Sequence, residues 1–189
     1  MARLRPLRRL NTVPAAPTGN ASDAVAGRPT LRFMLASPWH LIALGAGSGL
    51  PRIAPGTWGT LLAWLLFLRI DQSLNAGAWW LLVAVLLAIG AIAADITGRR
   101  LGAADSGHIV IDEIVAFWIV LLLLPGAAAH GGTLLIAAFV VFRFFDIVKP
   151  PPIRALDARF KNGVGVMLDD LVAAFYTLLV LAIGVRLGG

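Results

Sequence analysis

Five carboxylates stand in three short runs, each at the edge of an apolar stretch: Asp112 and Glu113 close the run 105–113, Asp146 lies in the run 143–154, and Asp169 and Asp170 close the run 163–170. Carboxylate oxygens are hard donors that suit Mg²⁺. Arg143, Lys149 and Arg154 lie among these acids, and fixed cations of this kind hold phosphate. A further run, 45–59, carries Gly47, Ser48, Gly49, Pro55, Gly56 and Thr57 around Arg52 and leads directly into an apolar segment. A glycine-rich loop at a helix start exposes N–H groups where an anion is favoured. It lacks the lysine and spacing of a Walker A loop. Carboxylates for a divalent ion, anchored cations and an anion-binding loop are together what phosphoryl transfer requires.

Each run also has a plainer reading. The glycine run could be a tight connector, the acids helix caps, and the 143–154 run a salt-bridge network around a kink. One acid suffices to cap a helix. Two adjacent pairs at the edge of a hydrocarbon layer are expensive, and intramembrane charge is usually functional. Arg143, Asp146 and Lys149 are spaced by three and share a face while the helix lasts. Pro150, Pro151 and Pro152 end it.

Several chemistries are excluded. The chain has no cysteine, which removes thiol nucleophiles, thiolate metal sites and disulfides. His40, His108 and His130 lack the arginine-rich surroundings of a histidine-nucleophile lipid phosphatase, and the Asp-x-Asp pattern of aspartate-nucleophile soluble phosphatases is absent. The body has no basic stripe with interleaved aromatics, so no nucleic-acid partner is expected.

The elements that must position these groups are strongly apolar. The 189 residues are 59% hydrophobic and 14% charged, with a mean hydropathy of +0.84, far from a water-soluble domain. The expectation is an all-α integral membrane protein with about five apolar helices, near 58–70, 77–94, 114–124, 132–146 and 170–186. Several are shorter than the ~20 residues of a full span, so some are expected to be short or re-entrant. Helix parity then puts the loops 45–57, 95–113 and 147–169 on one side. That side carries most of the basic residues, which makes it cytoplasmic by the positive-inside rule. Residues 1–32 hold six arginines, one aspartate and several prolines, and read as a mostly disordered basic tail near anionic lipid. Residues 33–189 form the membrane-embedded domain.

Four blocks in order carry a resemblance: Gly47 to Gly49 with Pro55 to Gly59, Ile109 to Glu113, Phe142 to Ile153, and Gly163 to Asp170. The chain resembles the phosphatidylglycerophosphatase A family, bacterial membrane phosphatases, over about 38–180. It departs mildly at Ala116 and at Ala173-Ala174, where the family often carries glycine. The resemblance implies Mg²⁺-dependent removal of phosphate from phosphatidylglycerophosphate, giving phosphatidylglycerol, in an all-α protein of the inner membrane; the charge of the loops puts the site on the cytoplasmic face. On this reading Asp112, Glu113, Asp169 and Asp170 hold Mg²⁺, and Asp146 is a ligand or base. Lys149, Arg143, Arg154 and the 47–59 loop then bind the phosphate. Attack by water and attack by an aspartate both remain open.

Two rivals are weighed. A CDP-alcohol phosphatidyltransferase also uses Asp pairs and Mg²⁺, but needs an Asp-Gly-x-x-Ala-Arg string that follows neither Asp146 nor Asp169. A small divalent-cation carrier predicts acids near mid-helix, whereas here they cluster towards helix ends.

Overall fold

A computed structural model describes residues 28–124, 132–151, 153–154, 159–160 and 162–188. The expected tail up to residue 27, together with His130, Pro152, Asp157 and Lys161, lies outside the described residues. The architecture is all-α, with no β-strand among the described residues.

Two short helices come first, α1 (Leu31–Leu35) and α2 (Pro38–Ala43). Each starts on a hydroxyl cap: Thr30 Oγ1 accepts the Phe33 N–H at 3.1 Å, and Ser37 Oγ accepts the Trp39 N–H at 3.3 Å. Such caps satisfy donors that the first turn leaves open. His40 on α2 is buried. Its ring stacks on Phe33 at 4.2 Å, and its Nδ1 lies 3.0 Å from Thr97 Oγ1. Burial, and then the nearby Arg100 charge, hold its pKa below the ordinary histidine value.

Five longer helices follow: α3 (Pro55–Ile70), α4 (Ala76–Leu101), α5 (Ile111–Leu123), α6 (Gly132–Val148) and α7 (Gly163–Gly188). They alternate in direction. The starts of α3, α5 and α7 and the ends of α4 and α6 therefore meet at one end of the bundle, the arrangement that parity predicts for the three polar loops.

The helix bounds differ from expectation in informative ways. Proline at the first helical position lets α3 begin at Pro55, since its missing N–H is one the first turn cannot use. Helix α4 runs on through its charged end, where Arg99 pairs with Asp95 one turn back and Gly102, at φ 76°, caps the end. Helix α7 differs as much at its start, which lies seven residues before the expected 170. Gly163 and Gly165 look like turn glycines in the sequence, but they serve close packing. A Cβ on Gly163 would strike the Ala91 carbonyl of α4, and one on Gly165 the Phe160 carbonyl. Asp169 and Asp170 consequently sit in the second turn of α7 rather than at its mouth.

Helix α5 is the hub: ten of its thirteen residues are buried, and it packs against α3, α4, α6 and α7. Aromatic rings tie it outward. Trp118 meets Trp79 of α4 edge-on at 5.3 Å, and Trp79 in turn packs on Phe67 of α3 at 5.1 Å. The Trp118 indole N–H donates to the Ala63 carbonyl at 2.8 Å. Phe117 packs on Phe142 of α6 at 5.5 Å.

Helices α4 and α7 are long and apolar enough to cross a membrane. At about 1.5 Å per residue each reaches roughly 39 Å, beyond the ~30 Å hydrocarbon layer. Helices α3 and α6, at 16 and 17 residues, are shorter than a full span, in line with the expected short members.

Candidate active site

A cavity of about 260 Å³ opens where the helix ends meet. Ala54, Pro55 and Gly56 at the start of α3 form one wall. Asp105, Gly107 and Ile109 of the α4–α5 loop form a second, and Asp112 and Glu113 open α5 beside it. Arg143, Asp146, Ile147 and Lys149 at the end of α6, with Asp169 and Asp170 of α7, complete the lining.

The carboxylates divide by partner. Asp112, Glu113 and Asp170 are buried, and each offers an oxygen within 4.8 Å of the others. Asp112 Oδ1, Glu113 Oε2 and Asp170 Oδ2 are buried with no hydrogen-bond partner. Three such acids cannot remain charged together without compensation, because desolvation and mutual repulsion both oppose it. Buried orphan oxygens of hard type, crowded around one point, fit a divalent cation such as Mg²⁺. Asp146 and Asp169 make the closer contacts with side-chain cations. Asp146 pairs with Arg143 one turn earlier on α6, and Asp169 Oδ2 accepts from Lys149 Nζ at 2.7 Å. Asp169 was expected in the metal set with Asp170. Consecutive helical residues point about 100° apart, and Asp169 turns to the lysine arriving from the end of α6.

The cations are equally well placed. Arg143 Nη1 lies 3.5 Å from Glu113 Oε1 in addition to its pairing with Asp146. Lys149 follows the last residue of α6 with a left-handed backbone, φ 45°, just before the proline run. That turn carries its ammonium back over the cavity, 3.6 Å from Asp105 Oδ2 as well as against Asp169. Opposite, Ala54 is also left-handed, φ 49°, and swings the chain into α3. Gly56 lies directly against the charged groups of the cavity. A Cβ there would meet the Glu113 carboxylate and the Arg143 guanidinium.

The remaining expected phosphate ligands have other surroundings. Gly47, Ser48 and Gly49 lie outside the cavity lining. The Ser48 hydroxyl donates to the Gly45 carbonyl at 2.9 Å, and Gly49 is pressed against the His108 carbonyl. His108 Nδ1 is 2.7 Å from the Gly49 carbonyl oxygen, and the Val110 N–H donates to the Ala43 carbonyl at 2.9 Å. The 45–50 turn thus braces the loop that delivers Asp112 and Glu113. Thr57 is half-buried in the first turn of α3, and Arg154 is exposed beyond the proline run; neither lines the cavity. Asp105 was missed as a site residue. Its only signal is an acid seven residues before Asp112 in the same polar run.

The described residues form an all-helical bundle, two of whose helices are long and apolar enough to span a membrane, enclosing an acid cluster rimmed by Arg143 and Lys149. The family model for phosphatidylglycerophosphatase A matches residues 41–185. Phosphatidylglycerophosphatase A of Haemophilus influenzae is 40% identical over 152 residues, covering 80% of this chain and 91% of the relative. That of Escherichia coli K12 is 39% identical over 145 residues, covering 75% and 80%. A Bacteroides thetaiotaomicron relative with a provisional phosphatidylinositol-3-phosphatase name is 38% identical over 146 residues, covering 76% and 91%. No solved structure matches the fold. The chain belongs to the phosphatidylglycerophosphatase A family, and it is a phosphatase.

Proposed function

We propose that the protein hydrolyses the phosphate monoester of phosphatidylglycerophosphate to phosphatidylglycerol, with Mg²⁺, at the cytoplasmic face of the bacterial inner membrane. The observation that carries this reading is the joining of three buried carboxylates, each with an oxygen that lacks a hydrogen-bond partner, to two anchored cations in one cavity, in a chain of this family. Asp112, Glu113 and Asp170 would hold the ion, which supplies positive charge against the phosphate oxygens as they gain charge. Arg143 and Lys149 bind the phosphate from two sides, and the N-terminal turn of α3 at Gly56 lends its dipole to the same anion.

In the reaction a water oxygen bonds to phosphorus while the bond from phosphorus to the glycerol oxygen breaks. That oxygen takes a proton, leaving phosphatidylglycerol and inorganic phosphate. Asp146, steadied by Arg143, accepts the proton of the attacking water. The cytoplasmic assignment rests on the basic residues at the cavity end of the bundle: Arg52 before α3, Arg99 and Arg100 in the last turn of α4, and Lys149 after α6.

The test is direct. Purified protein in mixed micelles with Mg²⁺ should release phosphate from phosphatidylglycerophosphate and cease on chelation. Phosphatidylinositol 3-phosphate belongs in the same assay, because one relative bears that name. Faster release from the inositol lipid would replace the headgroup assignment. No release from either would end the reading.

A further inference from the structure

Among the described residues, Lys149 faces two carboxylates that are held very differently. The Asp169 side chain is 4% exposed and lies 2.7 Å from the ammonium; the Asp105 side chain is 48% exposed and lies 3.6 Å away, on the opposite wall of the cavity mouth. Water screens a pair involving so exposed an acid, which makes it the weaker and more easily exchanged of the two. The buried partner stays. Asp105 is nonetheless not adrift. Its loop is pinned by the turn in which the Ile109 N–H donates to the Ser106 carbonyl at 2.8 Å, and by His108 against Gly49. On its α4 side the loop packs on Gly98, where a Cβ would come within 2.8 Å of the Ala104 carbonyl.

We propose that Asp105 is a positioning residue that occupies the exposed side of the Lys149 ammonium and yields it to a phosphate oxygen. The inference rests on the phosphatase reading of the cavity. An arriving phosphate displaces the carboxylate from Lys149 and then remains beside a like charge. Asp105 therefore weakens retention of the anion and hastens departure of inorganic phosphate after hydrolysis. Asp169 keeps Lys149 in place throughout the cycle.

The experiment compares wild type with Asp105→Asn and Asp105→Glu, full-length and in detergent. It measures inorganic phosphate binding by calorimetry, and the KM, kcat and phosphate inhibition constant on the lipid. Removing the competing charge should tighten phosphate binding and lower its inhibition constant about threefold to fivefold, the scale of an exposed ion pair. KM should fall with it, and kcat should not rise. Asp105→Glu restores the charge and should restore wild-type phosphate binding. A merely structural role predicts weaker binding in the Asn variant, so unchanged or weakened binding overturns the proposal, as does a Glu variant that behaves like Asn. Wild-type protein that binds no phosphate also overturns it. Wild type that binds phosphate but cleaves neither lipid defeats the phosphatase reading alone, because the binding comparison needs no turnover.

Discussion

Arg143 joins two helices through their acids. From α6 its guanidinium grips Asp146 one turn along and reaches Glu113, at the first turn of α5, at 3.5 Å. Removing one partner of a largely buried ion pair leaves the other charge uncompensated, at about 3–5 kcal/mol. Arg143→Ala should therefore lower the melting temperature as well as abolish turnover. Arg143→Lys should keep most of the stability and lose most of the activity, because a single ammonium cannot span two carboxylates as the planar fork does. Thermal unfolding and phosphate release measured on the same preparations check both halves.

Asp169 and Asp170 should behave differently despite being neighbours. Asp170 lies in the cluster with Asp112 and Glu113, whereas Asp169 meets Lys149. A ligand that binds the folded state stabilises it by mass action, about 2.7 kcal/mol at a hundred times its dissociation constant. Added Mg²⁺ should raise the melting temperature of wild type and of Asp169→Asn, but not of Asp170→Asn. Asp169→Asn should instead raise KM by letting Lys149 wander. Equal loss of the Mg²⁺ response in both variants would return Asp169 to the metal set.

Gly56 offers a steric test inside the cavity. Gly56→Ala forces a methyl group against Glu113 and Arg143 at the start of α3. Displacing such groups by about 1 Å costs on the order of 100-fold in rate. The fold should survive, because α3 keeps its Pro55 start and its buried contacts through Ala63 and Phe67. Retained wild-type kcat would show that the α3 start does not touch the reacting phosphate.

His40 predicts an acid limb in stability. Its folded pKa lies below the ordinary value of 6.5, so the unfolded chain takes up the proton first. Its effect on stability is absent well above pH 6.5, and stability falls as pH drops through and below that value. His40→Phe keeps a ring against Phe33 and cannot titrate. The drop in melting temperature between pH 7.5 and 5 should be smaller in that variant than in wild type.

Much of this site was legible in the chain because its signals are local. Arg143 and Asp146 are three apart, so any helix through them brings them together. Asp112 and Glu113 precede a long apolar run, so they had to open its helix. Alternation of apolar segments brought the three polar loops to one end. What no local pattern carries is the contact between Asp169 and Lys149: the lysine arrives from a non-glycine residue in the left-handed region, immediately before a proline. Gly163 and Gly165 are ambiguous in the sequence for a similar reason. Glycine marks a turn or a close approach with equal force, and only the carbonyls of Ala91 and Phe160 decide between them. Gly47 to Gly49 brace a neighbouring loop, a role visible only once His108 is seen against Gly49.

The two doorposts of the cavity, Ala54 and Lys149, both hold a backbone shape that side chains resist, at about 1–2 kcal/mol each. Glycine would adopt either shape without that cost, so a chain tuned only for ruggedness would carry it there. Keeping Cβ-bearing residues at both posts gives up some heat tolerance in exchange for stiffer walls. Ala54→Gly should accordingly yield a hardier but slacker protein, and efforts to improve its shelf life should begin away from these two positions.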